Sequence, residues 1–209
     1  MKPVLATLLL ICVPVGAGAQ TPPQQGITVT GNGTASAAVS TVVVRVSMNR
    51  LAGDDGSYMA SRLKAAGVTD ASADTGLMGN AQMIVVHGHL TGLTRAKVDA
   101  VTHAVSQLGA NVPPQFASFV ALTRAQFYGL AGDCPPIEQR ARESALADAR
   151  RRAEAIAANG SVHLGERLAV AESDGCPRAG PFGGVFAIDT ETLMMSVPVS
   201  ETVTYAIAK

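Results

Sequence analysis

The chain has 209 residues, of which 47% are hydrophobic and 15% charged, and its formal net charge is zero. Without a net field it has no global attraction for nucleic acid or anionic lipid. With no Trp and only 4% aromatic residues it is poorly supplied with base- or sugar-stacking platforms. The core must be assembled from Val, Ala, Leu and Met.

The chain opens with Met1-Lys2, an apolar run from Val4 to Val15, and Ala17-Gly18-Ala19. A charged start, a short apolar core and small residues at its end predict a secretory signal over 1–19, cleaved before Gln20. Cys12 raises a lipoprotein alternative, but the bulky Ile11 before it and its place inside the apolar run argue against lipidation. No later run is long enough for a membrane helix, so the expectation is an exported, soluble chain without a membrane span. A polar leader over 20–26 then precedes one domain over 27–209.

Ile27-Thr28-Val29-Thr30 predicts a strand, Gly31-Asn32-Gly33 a tight turn, and Thr34 to Met48 a second strand whose Val42-Val43-Val44 centre suits burial on both faces. Asp54, Asp55 and Ser57 offer caps for a helix from Tyr58 to Ala66 that buries Met59 and Leu63 and stops at Gly67. A weaker strand falls between Val68 and Leu77. Met83 to Thr91 alternates, with Ile84, Val86 and Leu90 on one face and Val85, His87 and His89 on the other. Thr94 caps a helix with its apolar stripe at Val98, Val101, Val105 and Leu108, ended by Gly109. Gln115 to Thr123 is expected as a strand. The order from Thr41 to Thr123 is thus strand, helix, strand, strand, helix, strand, which predicts an α+β fold with a mixed or antiparallel sheet and a ferredoxin-like core.

A long Ala-rich helix follows Cys134-Pro135-Pro136 and ends at Asn159-Gly160, with Ala141, Ala145, Ala149, Ala153 and Ala157 in one row. Arg167 to Ala171 supplies a returning strand, Ser173 to Gly184 a Gly/Pro-rich loop, and Val197 to Ile207 a closing strand. A helix from Pro136 to Asn159 climbs about 36 Å, and a strand from Glu166 to Gly175 descends about 33 Å. Cys134 and Cys176 therefore return to the same level, which favours a disulfide over two unpaired thiols on neighbouring loops. Closing a loop of about 40 residues stabilises by about 4 kcal/mol in the chain-entropy model.

Candidate sites are few. His87 and His89 share a strand face at a spacing that metal sites use, but neither has a Cys, Asp or Glu ligand close in sequence, and a solvated face is the commoner cause of such a pair. Arg140, Arg142, Arg150, Arg151 and Arg152 alternate with Glu138, Glu143, Asp148 and Glu154, the pattern of a helix face laced by ion pairs. There is no Gly-x-Ser-x-Gly elbow, and Gly31-Asn32-Gly33 leads into a strand, so neither a hydrolase nucleophile nor a phosphate loop is indicated. No catalytic residue and no cofactor is expected.

Ile27 to Gly33 with the Val-rich strand after it, Leu63-Lys64-Ala65-Ala66-Gly67-Val68, the segment Ala141 to Glu172 with Leu164-Gly165, and the strand Val197 to Ile207 together resemble the SIMPL-domain family across nearly all of the chain after the leader. The resemblance implies an exported, periplasmic bacterial protein of the immunogenic-protein type with an α+β fold, self-association and no catalytic residues. It also implies a link to oxidative or DNA-damage stress. His87-Gly88-His89, where the family carries an aromatic-rich strand, and the Gly132 to Pro136 insertion depart from its pattern. The function expected is that of a non-enzymatic, oligomeric envelope component; the alternative is a metal- or small-ligand-binding protein using His87 and His89.

Overall fold

The structure, a computed structural model, describes residues 26–49, 55–78, 81–110, 124–176 and 184–208. The signal over 1–19, most of the polar leader and the strand expected over Gln115 to Thr123 lie outside these residues. The described elements are β1 (Gly26–Ala38), β2 (Thr41–Asn49), α1 (Ser57–Ala65), β3 (Thr69–Met78), β4 (Ala81–Thr91), α2 (Arg95–Ala110), β5 (Ala125–Leu130), α3 (Cys134–Asn159), β6 (His163–Asp174), β7 (Gly184–Asp189) and β8 (Met194–Ala208). The fold is α+β with one antiparallel sheet of eight strands in the order β1-β8-β7-β5-β2-β4-β3, and β6 also pairs with β8.

Strand β8 is the organiser. Along one edge it pairs with the full length of β1, from Gly26 opposite Ala206 to Ala38 opposite Met194. Along the other it meets β7 at Met194 and Met195 and β6 from Val199 onward. Two of these strands were not legible in advance: β5 lies just beyond the alternation seen in Gln115 to Thr123, and β7 follows what reads as loop chemistry.

The turn expected at Gly31-Asn32-Gly33 does not form. Both glycines sit inside β1, and the chain breaks only at Val39 and Ser40. The glycines serve close approach instead. A Cβ on Gly31 would fall closer than 3.0 Å to backbone atoms of Ala145 and Ala149, and one on Gly33 would do the same to Ala141 and Ala145. The five alanines of the row are buried on α3, so a strand and a helix that both lack bulk come into backbone contact.

At the other end of the sheet the chemistry is ordinary. Val42, Val44 and Val46 of β2, Ile84, Val86 and Leu90 of β4, Met59 and Leu63 of α1 and Val98, Val101 and Val105 of α2 form one buried cluster, continuous with Met195, Val197 and Val199 of β8. Thr94 Oγ1 accepts from the Lys97 N–H at 3.3 Å, the cap foreseen for α2. Gly67, at φ +93, ends the first helical segment as predicted. Because Val42, Ile84, Met195, Gly31 and Gly33 all share one side of the sheet, all three helices described lie on that side.

Candidate functional site

The seam between α3 and β6 holds the most unusual chemistry. Cys134 and Cys176 form a disulfide with their Cα atoms 5.9 Å apart, pinning the first turn of α3 to the end of β6. Two turns along α3, Arg142 gathers three carboxylates from three elements. Its Nη2 donates to Glu138 at 3.1 Å and also to Glu172 of β6, while Nε lies 3.3 Å from Glu201 of β8. Glu172 and Glu201 are cross-strand partners, and Gly31 faces Glu201 from β1, where a side chain would block the helix.

Glu201 is 1% exposed, and its Oε2 has no hydrogen-bond partner among the described residues. Burial, reinforced by the charge on Glu172, lifts its carboxyl above the usual carboxylate range, and Arg142 only partly offsets this. The guanidinium of Arg142 is held protonated most strongly by its hydrogen bond to Glu172. One cation among three carboxylates makes the seam a structural bolt. Sequence reading paired Arg142 with the helix acid Glu138 but had no signal for Glu172 or Glu201, which arrive from other strands.

His87 and His89 lie on the opposite, helix-free side of the sheet. Each faces a carboxylate of β3: His87 Nδ1 is 3.4 Å from Asp74 Oδ2, and His89 Nδ1 is 4.0 Å from Asp70 Oδ2. His87 Nε2 is 3.5 Å from Ser72 Oγ. Serine, histidine and aspartate thus meet in one row, but at distances on the outer edge of hydrogen bonding. Across β2 from His87 stands Arg45, opposite Gln126 of β5. The structure therefore gives each histidine its own acid. Among the described residues the group of three metal-capable side chains that comes within 4.8 Å is Cys134, Glu138 and Cys176, and the disulfide consumes both of its sulfurs.

Over β1 and β8 the helix-free face carries a hydroxyl ladder, whereas over β2 and β4 it holds the buried Val43 and Val85. Thr28 pairs with Thr204 at 2.9 Å, Thr30 with Thr202 at 3.0 Å, Ser36 with Ser196 at 2.6 Å, and Ser200 donates to Asn32 at 2.9 Å. The outer edge of β1 is guarded by α3. Asp148 Oδ2 accepts the Asn32 N–H at 3.1 Å, and Arg140 donates to the Ser36 carbonyl at 3.4 Å. The Asn32 N–H and Arg151 hold the Asp148 carboxyl below its ordinary value. These contacts occupy backbone groups that would otherwise template a further strand.

No described helix is long and apolar enough to cross a membrane. Compared with known proteins, the chain matches no family model and no curated protein.

Proposed function

We propose that the chain is a non-enzymatic, exported protein of the SIMPL type, a periplasmic envelope component tied to oxidative or DNA-damage stress that self-associates through its helix-free sheet face. The observation that carries this reading is the division of labour between the two sides of the sheet. One side holds the helices and most of the core; the other presents a hydroxyl ladder over β1 and β8, next to the buried Val43 and Val85 and to Arg45, His87 and His89. The outer edge of β1 is occupied by Asp148 and Arg140, which blunts strand addition at that edge. A staple between Cys134 and Cys176 suits an oxidising compartment.

The order β5-β2-β4-β3, with α1 and α2 as the connections, supports reading this part of the sheet as the ferredoxin-like core. Light scattering on residues 20–209 tests the assembly. A mass that is a multiple of the protomer supports it, and a protomer mass at high concentration removes it. The second reading, a divalent metal held by His87 and His89, is favoured only by the nearby Asp74 and Asp70. Calorimetric titration of zinc or copper ions into the wild type and into His87→Ala decides it, since heats that are absent or identical rule the site out.

A further inference from the structure

Helix α3 packs over β1 and β8, whereas among the described residues β6 is paired along its β8 side alone, so the strand projects beyond the cover of the helix. Between them opens a trough of about 540 Å³. A second hollow of about 470 Å³ shares Glu154 and Leu164 with it and continues toward the end of α3. The base is apolar: Leu146 from the helix, Leu164 from β6 and the ring of Tyr205, which is 7% exposed, with Val162 extending the same surface.

The polar groups sit at one level. Arg167 is the register partner of Tyr205, and the ladder slips by one residue on each side of it: Leu164 opposes Ile207, Arg167 opposes Tyr205, and Ala169 opposes Thr204. Paired bulges re-aim the residue they enclose and are frequent beside binding sites. Here they turn an exposed arginine onto the helix side of an edge strand, where it has no hydrogen bond or ion pair with another described residue. From the facing wall comes Arg150, whose Nε is engaged by Glu154 at 2.9 Å. The pair offsets both charges, and Glu166 stands exposed at the mouth, so the lining holds two arginines and two glutamates. Arg167 and the remaining Nη donors of Arg150 therefore flank a phenol above an apolar floor in an otherwise charged hollow, convergent polar groups of the kind that mark a ligand site.

We infer that this trough binds an amphiphile with one anionic head and an unbranched apolar tail, the head between Arg167 and Arg150 and the tail along Leu146, Tyr205 and Leu164. The inference is independent of the assembly reading, because the trough lies on the helix side of the sheet.

Titration with decanoate below its micelle concentration tests it, beside acetate and decyltrimethylammonium. Decanoate is expected to bind saturably at one site, with the other two at least tenfold weaker. Losing a charge-assisted pair in Arg167→Ala is expected to weaken decanoate about tenfold, with Arg167→Lys intermediate and the disulfide and far-ultraviolet spectrum of both variants unchanged. Absence of decanoate binding, equal affinity for the cationic amphiphile, or equal affinity in Arg167→Ala each overturns the assignment.

Discussion

The two ends of the sheet are covered by helices in opposite ways. Over β2 and β4, helices α1 and α2 pack by volume, with Leu63, Ile84 and Leu90 wholly buried. Over β1 and β8, helix α3 packs by the absence of volume, its alanine row set against Gly31 and Gly33. A small-residue interface buries little apolar area per residue. That end carries two restraints on α3, the Cys134–Cys176 disulfide to the end of β6 and the Arg142 bolt to β6 and β8. The thin interface is reinforced by cross-links.

This contrast can be broken in four places. Replacing Cys134 and Cys176 by Ser removes the constraint on a loop spanning a sequence separation of 42. We expect a loss of about 4 kcal/mol, read by urea unfolding under non-reducing conditions. Leu63→Ala opens a cavity in the volume-packed end and is expected to cost about 3 kcal/mol in the same assay. Gly33→Ala tests the other end by adding a single methyl group. Its Cβ meets helix backbone that no rotamer change can move, so a destabilisation of about 2 kcal/mol is expected, whereas an ordinary strand glycine would gain from the change.

The smallest effect concerns pH. The Glu201 carboxyl is raised in the native state, so its protonated form is stabilising. Its contribution is complete below the ordinary glutamate value of about 4.3 and is lost as pH climbs through the elevated native value. Glu201→Gln does not titrate, so the stability of the variant minus that of the wild type is expected to rise with pH between the ordinary glutamate value and the elevated native one, and to level off above it. A flat difference would show that folding does not raise the Glu201 carboxyl.

What the sequence disclosed follows the same division. The stripes at Met59 and Leu63, at Val98, Val101 and Val105, and along β4 were legible because large apolar residues at regular spacing announce a buried face. The alanine row and the cysteine pair were legible from periodicity and from the matching lengths of helix and strand. Gly31-Asn32-Gly33 misled because two glycines around an asparagine carry the local signature of a turn, while their cause, a helix more than 100 residues later, is non-local. Strand β7 escaped notice because it is short and follows a Gly/Pro-rich stretch.

The candidate sites were legible only in part. His87 and His89 were visible as a pair on one face, but their acids came from β3. Neither Glu201 nor Arg167 stood out, because burial beside Arg142 and Glu172 and register slips on both sides are products of strand pairing.

The most direct test of the account uses the exposed pair Thr30 and Thr202, 3.0 Å apart on the helix-free face. With Thr30→Lys and Thr202→Lys together, two like charges face each other where the self-association surface is placed. Light scattering on the oxidised chain should give a multiple of the protomer mass for the wild type and the protomer mass for this variant, with unfolding midpoints that remain close. Equal masses for the two proteins, whether protomer or oligomer, would contradict the claim that this face is where copies of the chain meet.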